Sequence, residues 1–272
     1  MVLLELDAWL DNLLSTSQEE TADIDIFAPI PDREECPICM IPLPIIEGKT
    51  FFSCCGKMIC DGCNHKSVMT EKKKGIRIEE QKCAFCQRTL ESTFKNEIKL
   101  LKRLTKKNNP HALMSMANAY RSGAEVFQSD TRALEMYICA AELGHPTAYS
   151  KVGSYYYQGI AVEQDMSKAL EFWEVAAKKG CIRAHKVLAE MQNRNGNVDE
   201  GIKHFKVAAS AGYQLAMDRL MKAYRDEELS KEDLTQILHA FQASCIKMKS
   251  EDRDDALVAK ARFDEAEQTV SN

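Results

Sequence analysis

YYYQGIAVEQDMSKALEFWEVAAKKG, residues 155–180, decides the fold. Small and aromatic residues recur at helical spacing up to Gln158, Gly159 supplies a stop, and Asp165 or Ser167 supplies a cap for the stretch that ends at Gly180. The segment therefore reads as two helices joined by a glycine-bearing loop, the first running over 147–158. Its alanines allow close approach of the two helices, while Trp173 and the leucine positions fill the seam.

The same text recurs on either side. Ala112, Ala148, Ala184 and Ala216 follow at steps of 36, 36 and 32 residues, and Gly144, Gly180 and Gly212 keep that register. Ala-Ala pairs stand at 140–141, 176–177 and 208–209, each preceded by a large aromatic: Tyr137, Trp173 and Phe205. A single hairpin cannot bury its apolar face alone, so such units must stack. We expect repeats at 109–145, 146–181 and 182–213, with a degenerate fourth at 214–250. The third is four residues shorter because it lacks the loop insertion.

These features resemble Sel-one-like repeats, a branch of the tetratricopeptide-related solenoids, on the pattern K-A-x-x-x-W-x-x-A-A-x-x-G at residues 168–180 and on YRSGAEVFQSDTRALEMYICAAELG in the copy before it. The resemblance implies an α-solenoid that serves as a protein-interaction platform.

Upstream of the repeats the composition changes. Eight of the eleven cysteines lie between Cys36 and Cys86, and five of the seven prolines between Pro29 and Pro44. The cysteines run C36-P-I-C39, fourteen residues, C54-C55, four residues, C60-D-G-C63, nineteen residues, C83-A-F-C86. A two-residue gap lets two thiolates grip one face of a tetrahedral ion, and eight ligands suit two zinc ions. The competing readings are a disulfide-stapled knot and a cluster of buried thiols. The opening MVLLELDAWLDNLL carries acids where a secretory signal has bases, so a cytoplasmic or nuclear setting with reduced thiols is expected.

The order of the cysteines resembles an all-cysteine RING finger. That resemblance implies a small α+β module in which Cys36, Cys39, Cys60 and Cys63 hold the first zinc, and Cys54, Cys55, Cys83 and Cys86 the second. Lys57 stands where RING fingers usually place a histidine, which leaves His65 as an alternative fourth ligand of the second site. RING fingers act as ubiquitin-protein ligases by docking a charged ubiquitin-conjugating enzyme. Of the docking features this implies, Ile38 matches. Val68 lies beside the second position, Ser67. Ala84 and Gln87 replace a proline and a basic residue, with Arg88 one position late. A ligase with a substrate on the repeats and a non-catalytic adaptor with structural zinc both fit.

The remaining segments are an acidic stretch over 1–33 with a short amphipathic helix (Leu3, Leu6, Leu10, Leu13, Leu14), a zinc module over 34–92, a basic connector helix over 93–108, and a C-terminal tail over 251–272. Residues 16–33 read as a linker. The leucines of residues 3–14 suit a docking helix, an export signal or packing onto the repeats.

Composition excludes several classes. The chain is 45% hydrophobic and 28% charged with a net charge of −5, which gives no general attraction to nucleic acid or anionic membrane. Lys72–Lys74 and the basic residues of 95–107 offer local positive charge without the aromatic interleaving of a base-stacking surface, so a nucleic-acid-binding zinc protein stands only as a third alternative behind ligase and adaptor. No apolar run approaches the ~20 residues of a membrane span. No phosphate-cradling loop, HExxH or nucleophile elbow occurs, so no catalytic residue is assigned.

Overall fold

The computed structural model describes residues 2–45, 47–77, 80–89, 94–124 and 126–270. In chain order the elements are α1 (Val2–Glu20), β1 (Lys49–Phe52), β2 (Lys57–Cys60), α2 (Asp61–Lys73), α3 (Phe94–Thr105), α4 (Pro110–Ser122), α5 (Asp130–Glu142), α6 (Pro146–Gln158), α7 (Met166–Lys178), α8 (Ile182–Arg194), α9 (Val198–Ser210), α10 (Gln214–Arg225), α11 (Lys231–Met248) and α12 (Glu251–Val270). They fall into two compact units, residues 1–31 with 101–244, and residues 32–100 with 245–272. The fold is mainly α, a helical solenoid together with a small two-stranded element among the cysteines.

In the first unit the paired helices α4/α5, α6/α7 and α8/α9 are the hairpins of the repeat. Local chemistry sets their ends. Pro110 and Pro146 open α4 and α6, where a missing N–H costs nothing. Asp165 caps α7 by accepting from the Lys168 amide at 3.0 Å, and Ser129 caps α5 through the Arg132 amide at 3.3 Å. Gly123 and Gly159 end α4 and α6 in the left-handed region, at φ 74° and 67°. The loop between α8 and α9 holds only Asn195, Gly196 and Asn197, which accounts for the shorter third step.

The alanine pairs 140–141, 176–177 and 208–209 are buried against neighbouring helices. Gly153 is required by contact rather than by backbone angle. A Cβ there would stand 2.8 Å from Trp173 Nε1, whose N–H donates to the Ser150 carbonyl at 3.1 Å. Trp173, Tyr155 and Tyr156 lie in the core.

Helix α1 packs on the repeats through Leu6, Leu10, Leu13 and Leu14. It also runs further than expected, since residues 16–20 are helical rather than linker. Ser17 and Thr21 continue the buried stripe at helical spacing, and each hydroxyl is satisfied there. Ser17 Oγ donates to the Tyr149 hydroxyl at 2.9 Å, and Thr21 Oγ1 to the Ser17 carbonyl at 2.8 Å. Acidic residues on its flanks meet repeat lysines, Asp11 with Lys168 at 2.6 Å and Glu20 with Lys179 at 2.8 Å.

In the second unit β1 and β2 form an antiparallel hairpin with Lys49 opposite Cys60 and Phe52 opposite Lys57. Leu43, Phe52 and Ile59 pack with the cysteines into a small core. Residues 251–270, expected as a tail, form α12, which packs against α2. Its polar sequence hides this role. Ser250 Oγ accepts from the Arg253 amide at 3.4 Å at the helix start, and Glu251, Asp252 and Asp254 complement the N-terminal dipole. Gly62 of α2 lies where any Cβ would come within 2.7 Å of the Arg253 amide nitrogen, so the two helices are nearly in backbone contact.

Candidate metal centres

Two knuckles of the same design carry four of the eight clustered cysteines. At the first, the Cys36 amide donates to the Ile41 carbonyl at 3.0 Å and the Met40 amide to the Cys36 carbonyl at 2.9 Å. At the other, the Cys83 amide donates to the Arg88 carbonyl at 2.8 Å and the Gln87 amide to the Cys83 carbonyl at 3.0 Å. Met40 and Gln87, one residue past the second cysteine of each pair, both hold a left-handed backbone, at φ 55° and 59°. A non-glycine residue there costs about 1 kcal/mol, so the tight turn is held by its surroundings.

The other four thiols come from the hairpin and its exit. Cys54 and Cys55 sit in the turn between β1 and β2, which Gly56 helps close at φ 73°. Cys60 ends β2 and caps α2, accepting from the Cys63 amide at 3.5 Å. Cys63 lies in the first helical turn.

The outcome is two quartets. The sulfurs of Cys36, Cys39, Cys60 and Cys63 all lie within 4.8 Å of one another, as do those of Cys54, Cys55, Cys83 and Cys86. Each quartet could hold a metal ion. His65 lies in α2 and belongs to neither group. The adjacent Cys54 and Cys55 both point into the same quartet, the turn supplying the change of direction that neighbouring residues need.

The sulfur spacing tests the fit. Tetrahedral zinc with Zn–S bonds of ~2.3 Å sets its sulfurs ~3.8 Å apart. Cys39–Cys60, Cys55–Cys83 and Cys54–Cys86 stand at 3.8, 3.9 and 3.5 Å. A disulfide would require ~2.05 Å, and all eleven cysteines are free thiols. The donor set is thus two groups of four sulfurs, each at a spacing that suits one zinc ion.

For several of these cysteines the thiolate form is disfavoured without a cation. Burial, and then neighbouring thiols, push Cys54 and Cys63 well above the ordinary thiol range and Cys55 to about 11. Cys36 is buried too, yet amide N–H groups of Cys39, Cys60 and Ile38 bring it down to about 7. A divalent cation at the centre of each quartet would hold the thiolate form.

The expected partner-contact residues lie on this module. Ile38, in the first knuckle, is 42% exposed. Val68 is half-buried on α2, and Arg88 is exposed beside the second knuckle. One residue outside the sequence reading touches a quartet directly: Arg253 of α12 brings its Nη2 to 3.9 Å from Cys39 Sγ. Its position, 214 residues beyond Cys39, gives no local signal.

Comparison with known proteins speaks to the helical part. The family model described as Sel1 repeat matches residues 110–145, 146–181 and 194–213. Among solved structures, a Sel1 repeat protein from Oxalobacter formigenes is similar at 22% identity and a TM-score of 0.50, over 67% of this chain and 72% of that one. A protective antigen of uropathogenic Escherichia coli with an SLR fold aligns at 20% identity and a TM-score of 0.46, over 69% of this chain and 38% of its own. No curated protein matches. Among the described residues no helix is long and apolar enough to cross a membrane. Residues 110–145, 146–181 and 194–213, about a third of the chain, are therefore Sel1 repeats within a helical solenoid, and the chain also holds two cysteine quartets able to bind metal.

Proposed function

We propose that the cysteine quartets bind two zinc ions in a RING-like module and that the chain is a ubiquitin-protein ligase whose repeats hold the substrate. The observation that carries this reading is the interleaving of the quartets. The first takes its ligands from 36/39 and 60/63, the second from 54/55 and 83/86, so each ion's ligand pairs straddle one pair of the other's. This is the cross-braced order that the resemblance implies.

Such a module needs no nucleophile. It would hold a charged conjugating enzyme so that the thioester and the acceptor amine meet, a positioning effect. The zinc would supply folding energy, about 10–16 kcal/mol per structural ion in small modules. Four large apolar side chains remain exposed on the module (Ile38, Met40, Met69 and Phe85), which supports a protein-docking role.

A second reading, an adaptor with purely structural zinc, draws on Ala84 and Gln87, which lack the proline and the base of the docking pattern. The test is ubiquitin discharge from a panel of charged conjugating enzymes, run beside metal counting by native mass spectrometry. Two zincs with accelerated discharge, lost on Ile38→Ala without loss of metal, are expected. Two zincs with no acceleration across the panel would leave the adaptor.

A further inference from the structure

Arg253 is the sole arginine or lysine among the described residues that is buried, at 7% exposure. Its Nη1 donates to the carbonyls of Pro42 at 2.9 Å and Met248 at 2.6 Å, and its Nη2 to that of Ile41 at 3.2 Å. The remaining contact of Nη2 is Cys39 Sγ at 3.9 Å. None of these partners is a carboxylate. The acids on either side of it, Asp252 and Asp254, pair instead with Lys66 at 3.0 Å and Lys249 at 3.7 Å. Arg33 is held below its usual range by burial and then by repulsion from Arg253, so it adds to the positive field rather than quenching it. A buried, permanently charged guanidinium without a carboxylate is costly unless an anion stands nearby. With zinc bound, Cys39 of the first quartet would be the one anionic group among its hydrogen-bond partners.

The second quartet is built differently. Cys86 is exposed, and the cations near it are exposed too: Lys57, which lies over the Phe85 ring at 6.0 Å, and Arg88. Four thiolates around one divalent ion carry a net charge of −2, and among the described residues a buried arginine or lysine touches the first site and none the second.

We propose that Arg253 is the outer-sphere counter-ion of the first zinc site, through which α12 makes that ion slower to leave and its sulfurs less reactive than those of the second. The assignment rests on the zinc reading above. A hydrogen bond from guanidinium to a ligating thiolate draws charge off the sulfur, which lowers its attraction for protons and electrophiles. Outer-shell partners of this kind are worth roughly 10- to 100-fold in metal retention.

The test uses the full chain loaded with zinc. A chelator and a maleimide are added together, and the time at which each cysteine is alkylated is followed by peptide mass spectrometry. In the unaltered chain Cys54, Cys55, Cys83 and Cys86 are expected to react before Cys36, Cys39, Cys60 and Cys63. Arg253→Met, which keeps the aliphatic length, should speed the first quartet by about 10- to 100-fold and leave the second unchanged. Arg253→Lys should restore most of the delay, and Lys66→Met, which removes only the exposed ion pair with Asp252, should not alter it. Hydrogen exchange over 251–262 separates loss of charge from loss of the helix: protection unchanged in Arg253→Met assigns the effect to the guanidinium. Equal rates at both quartets in the unaltered chain, or no change in Arg253→Met, would overturn the assignment. Failure of the unaltered chain to retain any zinc would instead remove the reading beneath it, and the assignment with it.

Discussion

His185 and His204 face each other across the seam of α8 and α9, their Nδ1 atoms 3.2 Å apart and both rings buried. One imidazole must donate and the other accept, so the pair cannot hold two protonated rings. Burial first, and then for His185 the neighbouring His204, bring both to about 4. For His204 the nearby Glu200 acts against burial and Lys203 with it.

A histidine whose folded pKa lies below its ordinary ~6.5 binds protons more readily when unfolded. Its contribution is therefore complete above that ordinary value and is lost as pH falls toward 4. At pH 5 each ring should withdraw about 2 kcal/mol from the third repeat, less to the extent that the two are coupled. Hydrogen exchange of α8 and α9 amides, corrected for intrinsic rate and compared at pH 7.5 and 5, measures this. His204→Leu should flatten the dependence; an unchanged slope would place its origin elsewhere.

Removal of zinc by a chelator should unfold the cysteine module and leave most of the helical signal of the repeats, since the two belong to separate compact units. Circular dichroism before and after chelation reads this directly, and a collapse of the whole helical signal would contradict it. Cys36→Ser should cost one ion of the two. Loss of neither would mean that Cys36 is not a ligand.

Metal retention should also weaken in acid. Thiols that burial and mutual repulsion hold protonated in the absence of a cation must give up those protons when one binds. Zinc occupancy by native mass spectrometry should fall as pH drops below neutrality, with protons taken up as the metal leaves. Occupancy flat down to pH 4 would argue against thiolate ligands.

Gly153→Ala should destabilise the second hairpin by about 1–3 kcal/mol. The new methyl meets the Trp173 indole nitrogen at 2.8 Å and the Ala169 carbonyl at 3.0 Å, where backbone cannot yield cheaply. A urea midpoint equal to that of the unaltered chain would show that the hairpin opens to accept it. Leu10→Ala, at a fully buried position of α1, should cost about 2–5 kcal/mol.

Asp165 and Gly159 were legible in the sequence because their work is local: a cap acts on an amide three residues away, and a left-handed stop on the turn just finished. The grouping of cysteines was foreshadowed by spacing and resemblance for the same reason, since short gaps restrict where two sulfurs can go. Ser17, Thr21 and Arg253 were not legible. A hydroxyl or a guanidinium reads as surface until its partner is known, and the partners of Ser17 and Arg253 (Tyr149, Ile41 and Pro42) lie 132 or more residues away. The His185–His204 pair was missed because each histidine alone, at a core position of its helix, carries no sign of the other.

The placement of α1 sets a timetable for the growing chain. Its side chains join Tyr149, Lys168 and Glu171, which are 132, 157 and 153 residues further along. A ribosome adding about 5–20 residues per second keeps this leucine-bearing segment waiting for many seconds before its seat exists. During that interval Leu6, Leu10, Leu13 and Leu14 stand in water. A helix made well before its seat is therefore among the late ones to find its place, and until then its leucines are open to a chaperone.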